Sequence, residues 1–97
     1  MTVKDVQGKE RLSLIPYQAL KAISKVREFG ISKYGDDQCW KQGDPKDFIE
    51  ASLRHTYKYL HVGKLDDESG LNHIAHAACS LVLALALLED ELNKEAV

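Results

Sequence analysis

Apolar residues recur at helical spacing in three stretches of the chain, and the first of these follows Pro16. From Ala19 to Phe29, apolar positions return at steps of three and four residues, which is the period of one helix face. Proline suits the first turn of a helix and glycine favours its end, so Gly30 is a natural stop. The pattern predicts a first helix that ends there, followed by a further short turn over residues 31–35.

The second stretch begins with Asp44 and Pro45, an N-cap residue followed by a proline in the first turn. It continues to about His61 or Val62, and Gly63 ends it. Its apolar stripe, at about 100° per residue, comprises Ile49, Leu53, Thr56, Tyr57 and Leu60. The pattern predicts a second helix with one apolar face.

Charged and titratable side chains flank that stripe on both sides. Glu50 and Arg54 lie on one flank, and their spacing of four residues is also that of an ordinary surface ion pair. His55 lies on the other flank, about 140° around the helix from Glu50. Glu50 and His55 are therefore not assigned to one metal site on this spacing alone.

The third stretch runs from about Leu71 to Asn93, and Glu68 or Ser69 can cap its start. Residues 81–88 are apolar on every face, and a helix of that kind must be covered on every side. The two other helices are too short to cover it completely. We therefore expect the third helix to pack also against a second copy of the chain.

Together these patterns predict an all-α fold in a single domain, residues 1–97. The domain is a small helical bundle of about three main helices, completed by oligomerisation into a dimer or a higher assembly. Residues 1–12 are polar and unpatterned, which is typical of a flexible arm.

Composition argues against several classes of protein. The apolar share of 44%, the charged share of 29% and the net charge of −2 are typical of a soluble protein and unlike those of a basic binder of polymeric nucleic acid. Cys39 and Cys79 match no zinc or disulfide spacing. The N-terminus lacks the apolar core of a signal peptide, and the apolar run 74–88 is shorter than the roughly 20 residues of a membrane span. We expect a cytoplasmic protein that does not bind membranes.

Titratable groups are concentrated between the second and third helices. His73 and His76, three residues apart, share one face of the third helix, and Asp66, Asp67 and Glu68 precede them in a turn. Two interpretations of the histidines stay open: imidazoles that bind phosphate, water or a metal, or side chains that hydrogen-bond within a helix interface. The acids are either caps and solvated charge or oxygen ligands for Mg²⁺.

Other residues can contribute to recognition of an anion or a base. Arg54 and His55 precede the acidic turn, and arginine presents a two-pronged donor to a phosphate. Further candidates for contact with an anion are Arg11 and Lys33. Tyr34 or Trp40 can stack on a base, although a lone tryptophan in a loop also serves to cover a core.

Four motifs occur in an order that resembles a known family. They read R-L-S-L-I-P-Y-Q-A-L (11–20), F-G-I-S-K-Y-G (29–35), W-K-Q-G (40–43) and, after the pair Arg54-His55, D-D-E-S-G-L-N-H-I-A-H-A (66–77). Over about residues 9–88 the chain is similar to the small, largely phage-encoded family named after the N-terminal domain of dATP/dGTP diphosphohydrolase. That family is related to the MazG-like NTP pyrophosphatases.

This resemblance implies an all-α fold, assembly as helical dimers, and hydrolysis of nucleoside triphosphates to monophosphate and pyrophosphate with Mg²⁺. It also implies that Arg54, His55, Glu68, His73 and His76 lie near the nucleotide. MazG-like sites hold Mg²⁺ with carboxylates, as E-x-x-E on one helix and E-x-x-D on the next. This chain instead offers Glu50 and Arg54, then His73 and His76, and imidazole is a poor ligand for Mg²⁺.

Three functions follow from these observations. The acid-poor site favours binding of a purine nucleotide or nucleotide-derived anion without hydrolysis, for instance by a phage protein that sequesters a nucleotide immune signal. The alternative is a Mg²⁺-dependent dATP/dGTP diphosphohydrolase, with Glu50, Asp67 or Glu68 as metal ligands. In that case Arg54, His55, His73 and His76 neutralise charge. The third is a helical adaptor without a ligand, in which the histidines only pack.

Overall fold

The computed structural model of the chain describes residues 8–96, and within this range the chain is helical with no strand. The elements are a 3₁₀ turn (Leu12–Leu14), α1 (Tyr17–Tyr34), a second 3₁₀ turn (Cys39–Gln42), α2 (Pro45–His61) and α3 (His73–Glu95). The prediction of an all-α bundle with three main helices is confirmed. Residues 1–7 of the predicted arm (residues 1–12) lie outside the described residues. A 3₁₀ turn begins at Leu12, the last residue of that arm.

The first helix is longer than the sequence pattern indicated. It continues through Gly30 and ends at Tyr34, where Gly35 takes the left-handed conformation (φ 74°) and donates its N–H to the Ile31 carbonyl at 2.6 Å. The predicted stop at Gly30 is wrong, because a single glycine inside a helix costs only about 1 kcal/mol. A stop requires the left-handed turn, and only the second glycine makes it.

A side-chain oxygen caps the start of each of the helices α2 and α3. Asp44 accepts the Lys46 N–H at 2.9 Å and Pro45 follows, so the predicted start of α2 is confirmed. Asn72 caps α3 by accepting the Ala75 N–H at 2.6 Å. The prediction that Glu68 or Ser69 would cap α3 is wrong, because the Ser69 side chain is used inside the acidic turn.

The core is small because it consists of short side chains. Val26 of α1 packs with Ala75 and Cys79 of α3, and neighbouring apolar residues only partly cover this cluster. Ala77 and Ala84 are also buried on α3, and small residues of this kind let another helix approach closely. The helix α3 packs mainly against α2 and to a lesser extent against α1.

The most deeply buried residue of α2 does not belong to its apolar stripe. Ser52 lies on the same flank of α2 as His55, here called the polar flank, and is 4% exposed, whereas Ile49 and Leu53 on the stripe are more than 40% exposed. The polar flank therefore faces α3, and this orientation places His55 between the two helices. The stripe is left on the surface of the protomer.

Large apolar residues on α3 are likewise exposed, among them Leu81, Val82, Leu85 and Leu88. The radius of gyration of 16.2 Å exceeds the roughly 13 Å of a compact domain of this length. Self-association, which would cover these residues, stays a prediction. The helix α3 is also long and apolar enough to cross a membrane by length and composition alone, and 33% of its most apolar window is buried within the protomer.

Candidate functional site

A cavity of about 440 Å³ opens between α1, the second 3₁₀ turn, the acidic turn and α3. Its volume lies within the range of small-molecule sites, which is about 300–1,000 Å³. Its lining includes aromatic, cationic, anionic and imidazole side chains: Arg27, Lys33, Tyr34, Trp40, Phe48, His55, Asp66, Glu68 and His76. The cavity can therefore contact both an apolar ring and a charged group.

Three histidines from two helices converge at the wall of this cavity. The Nδ1 atoms of His55 and His73 are 3.0 Å apart. The rings of His55 and His76 stack with their centroids 4.5 Å apart and an interplanar angle of 11°. His73 is 3% exposed, and it lies behind the cavity wall rather than in its lining. The convergence follows from the orientation of α2, whose polar flank faces the first turns of α3.

Asp66 and Ser69 connect the acidic turn to these histidines. Asp66 Oδ2 accepts hydrogen bonds from the Ser69 backbone N–H at 2.9 Å and from the Ser69 hydroxyl at 3.0 Å. The Ser69 Oγ lies 2.7 Å from His76 Nε2. Because the single hydroxyl hydrogen is donated to the carboxylate, His76 must donate from Nε2, which assigns the tautomer and leaves its Nδ1 as an acceptor.

Backbone hydrogen bonds fix the acidic turn in place. The Asp66 N–H donates to the Leu71 carbonyl and the Gly70 N–H donates to the Asp66 carbonyl, both at 2.8 Å. Gly70 has a φ of 73°, which lets the chain reverse in this short space. The His73 N–H then donates to the Lys64 carbonyl at 2.9 Å, so the start of α3 is joined to the segment before the turn.

The environment of the cluster alters the acidity of its members. Burial lowers the pKa of His55 below its usual 6.5, and the neighbouring His76 lowers it further. Burial also lowers the pKa of His76, although the Asp66 carboxylate opposes this effect. For Asp66, burial alone would raise the pKa, but the two hydrogen bonds from Ser69 outweigh it and the pKa is lowered. Near pH 7 the carboxylate is charged, and His55 and His76 are neutral.

Cationic groups border the cavity on the α1 side. Lys33 Nζ lies 2.6 Å from Glu68 Oε1, and this hydrogen bond raises the pKa of Lys33. The same ammonium is 5.3 Å from the centroid of the Tyr34 ring. The Arg27 guanidinium donates to the Asp37 carbonyl at 2.8 Å. Both cations are held by partners that an anionic ligand can replace.

The structure brings together some of the sequence-derived site residues and leaves others apart. The cavity lining contains Lys33, Tyr34, Trp40, His55, Glu68 and His76, with His73 in contact behind it. Outside the lining lie four exposed residues, Arg11, Glu50, Arg54 and Asp67. Asp66, rather than its two acidic neighbours, lies beside the histidines, with Oδ2 3.8 Å from His76 Nε2, and its spacing of three residues from a serine is the signal that the sequence offers. Arg27 and Phe48 also line the cavity and carried no comparable signal.

The donor atoms of the cluster suit Mg²⁺ poorly. Within residues 8–96, the one group with three close metal-binding side chains consists of His55, Asp66 and His73. Mg²⁺ prefers carboxylate, carbonyl and water oxygens, whereas imidazole suits zinc, copper, iron and nickel. Glu68, one of the acids proposed for Mg²⁺, is paired with Lys33. A carboxylate cage of the kind that the MazG-like resemblance implies is therefore not assembled in the described chain.

Comparisons with known proteins agree with the motifs. A family model described as "dATP/dGTP diphosphohydrolase, N-terminal" matches residues 2–96. A protein of Salmonella phage PMBT28 named dATP/dGTP diphosphohydrolase is 34% identical over 88 residues, which cover 91% of this chain and 30% of that protein. The chain thus spans less than a third of the length of this relative. No solved structure matches the chain. The extent of the family match shows that the chain belongs to the family of dATP/dGTP diphosphohydrolase N-terminal domains.

Proposed function

We propose that this domain binds a purine deoxynucleoside triphosphate in the cavity and takes part in its hydrolysis to monophosphate and pyrophosphate. The observation that carries the proposal is the lining of the cavity, where Trp40, Lys33 and His76 meet at one concave surface of suitable size. The name of the phage relative and the description of the family favour a purine triphosphate as the ligand.

The base binds beside Trp40, the one tryptophan of the chain. Its side chain is partly buried at the cavity, and Lys41 lies 6.0 Å from its ring centroid. Stacking of a base on an aromatic ring is worth about 1–3 kcal/mol and tolerates different bases. Trp40 therefore contributes affinity, and the selection of a purine depends on contacts with the edge of the base.

The phosphates bind near Lys33. Its ammonium pairs with Glu68, and both side chains are substantially exposed. An exposed ion pair of this kind contributes little to stability, so a triphosphate displaces the carboxylate with little loss. The ammonium then neutralises negative charge on the ligand, and Arg27 adds a second cation to the same cavity.

In hydrolysis, water forms a bond to the α-phosphorus and the bond from that phosphorus to the bridging oxygen breaks, releasing pyrophosphate. A proton must leave the attacking water. The neutral His76 imidazole keeps Nδ1 as an acceptor because Nε2 donates to Ser69, and its lowered pKa keeps it unprotonated near pH 7. These properties suit a proton acceptor at the cavity wall.

Binding and hydrolysis are tested separately. The fluorescence of Trp40 is titrated with each deoxynucleoside triphosphate in a non-hydrolysable α,β-methylene form, with Lys33→Met as the site variant and Lys94→Met, on the last turn of α3, as its matched control. We expect saturable quenching by purine forms, at least about tenfold weaker in Lys33→Met and unchanged in the control. Absence of quenching by any triphosphate at millimolar concentration would refute nucleotide binding.

Chromatography of natural triphosphates incubated with the protein then measures hydrolysis, with Mg²⁺, Mn²⁺ or Zn²⁺ added in separate reactions. Release of pyrophosphate and monophosphate from dATP or dGTP supports the complete proposal. Binding without turnover restricts the function of this chain to holding the nucleotide, as a sequestering protein would. A protein that neither binds nor hydrolyses would instead act as a helical adaptor.

A further inference from the structure

Three metal-binding side chains meet where α2, the acidic turn and α3 converge. His55 comes from α2, Asp66 from the turn, and His73 is the first residue of α3. One potential ligand atom of each lies within 4.8 Å of the other two. We propose that these three residues bind a divalent first-row transition metal ion of the zinc class, a site that is independent of any nucleotide.

The spacing of the two imidazole nitrogens fits a metal coordination shell. With bonds of about 2.1 Å, adjacent ligand atoms are about 3.0 Å apart in an octahedral shell and about 3.4 Å apart in a tetrahedral one. The Nδ1 atoms of His55 and His73 are 3.0 Å apart. Asp66 uses Oδ2 for both hydrogen bonds from Ser69, so Oδ1 is the oxygen available to an ion. The ligand atoms of all three residues lie within 4.8 Å of one another, so rotations of the side chains, without movement of the helices, bring them to bonding distance of one ion.

The surroundings hold the ligands in position before an ion arrives. The Asp66 carboxylate is oriented by Ser69, and the backbone of His73 is hydrogen-bonded to Lys64. The His55 ring lies against the ring of His76, which is itself held by Ser69. Hydrogen bonds and packing around metal ligands are a general requirement of tight sites, and their loss weakens binding about 10–100-fold.

Two imidazoles and one carboxylate are also the ligand set of several catalytic metal centres, which keep open positions for water or substrate. Here His55 and Asp66 line the cavity, whereas His73 lies behind them. The ion would therefore lie in the cavity wall with its open positions toward the cavity. Those positions suit water or an oxygen atom of an anionic ligand.

A simple hydrogen bond between the two imidazoles is the competing explanation of the 3.0 Å contact. It requires one Nδ1 to carry a hydrogen and the other to accept it. That bond involves the two histidines alone, whereas a metal site also uses the Asp66 carboxylate, which lies within 4.8 Å of both ring nitrogens. The two explanations differ in whether replacement of Asp66 changes the affinity for metal.

The test uses protein without a polyhistidine tag, stripped with a chelator and freed of it by dialysis. Calorimetric titration with Zn²⁺ measures affinity and stoichiometry, and Co²⁺ absorption reports on ligand geometry. The site variants are His55→Gln and Asp66→Asn, with His61→Gln and Asp67→Asn as controls because both replaced side chains are exposed and outside the cluster. Circular dichroism confirms that each variant keeps its helices.

We expect one Zn²⁺ per chain, a rise in Tm on binding, and affinity at least about tenfold lower in both site variants than in the wild type and controls. Less than a tenth of an ion per folded chain would overturn the proposal. So would wild-type affinity in Asp66→Asn, because the imidazoles alone would then account for binding. All titrations omit nucleotide, so their outcome is separate from that of the fluorescence experiment.

Discussion

Replacement of Leu85 by glutamate is expected to prevent self-association. Leu85 lies with Leu81, Leu88 and Ile49 along an apolar groove of about 720 Å³ between α3 and the start of α2. Each of these side chains is between 42% and 56% exposed in the protomer. Their burial against a second copy would complete the cover that the apolar segment of α3 lacks.

The magnitude follows from the exposed fraction of the leucine. Complete burial of a leucine is worth about 1.5–3 kcal/mol, so covering the exposed half of Leu85 is worth about 1 kcal/mol. In a twofold dimer the residue counts twice, which gives about 2 kcal/mol, or roughly a 30-fold change in Kd for Leu85→Ala. Leu85→Glu adds the desolvation of two unpaired carboxylates, which is several kcal/mol for each ion.

Sedimentation velocity over a concentration series measures this effect, with circular dichroism as the check on folding. Leu12→Glu is the matched control, because Leu12 is 79% exposed in the first 3₁₀ turn and outside the groove. We expect Leu85→Glu to sediment as a monomer at concentrations where wild type and control are oligomeric. A wild-type protein that stays monomeric at about 100 µM would refute the reasoning, and its co-sedimentation with lipid vesicles would identify a membrane as the partner of α3 instead.

Three further predictions concern the two cysteines, two glycines of α1 and its C-cap, and His76. Cys39 is exposed and Cys79 is buried with a raised pKa, so a thiol reagent at pH 8 should label Cys39 rapidly and Cys79 only on unfolding, as peptide mass spectrometry will show. Gly35→Ala should lower the unfolding free energy by about 1 kcal/mol because φ is +74°, whereas Gly30→Ala, inside α1 with open space at Cβ, should raise it by up to about 1 kcal/mol in urea denaturation. The pKa of His76 is lower in the folded chain than its usual 6.5. Below pH 6.5 the unfolded chain therefore binds a proton that the folded chain does not. The metal-free protein should lose stability as the pH falls from 6.5 to the pKa of His76 in the folded chain. Tm measured from pH 7 to pH 5 should fall less in His76→Gln, and equal slopes would contradict the assignment.

The first turns and caps were largely predictable because they depend on local chemistry. Asp44 and Pro45 predict the start of α2, because the first has a capping side chain and the second lacks an N–H. In the structure Asp44 is the N-cap and Pro45 is the first residue of the helix. The cap of α3 was misplaced because Ser69 has the right chemistry for a cap but is engaged by Asp66, and Asn72 takes that role. Competition between such local partners is decided by the conformation of the whole turn.

The candidate site was predictable in its composition but not in its arrangement. The acidic turn and the histidines at the start of α3 stood out in the sequence because titratable groups were concentrated there. Which acid would reach the histidines was not determined, since Asp66, Asp67 and Glu68 are chemically alike and adjacent. Only the reversal at Gly70 directs Asp66 toward His76. Arg54 and His55 are likewise adjacent in the sequence, but the fold separates their roles. Arg54 faces solvent, whereas His55 faces α3.

The sequence by itself determined the helical elements of this protein, since periodicity, proline and capping residues act over one or two turns. It also determined the family, because motifs are read in order along the chain. Only the tertiary structure decided that the polar flank of α2, rather than its apolar stripe, packs on α3. The physical reason is that the packing of helices depends on contacts between residues far apart in the chain, such as the 3.0 Å contact between His55 and His73, which the periodicity within one helix does not specify. That choice places the histidines beside Asp66, exposes the apolar stripe and joins residues of α2, the acidic turn and α3 in one site.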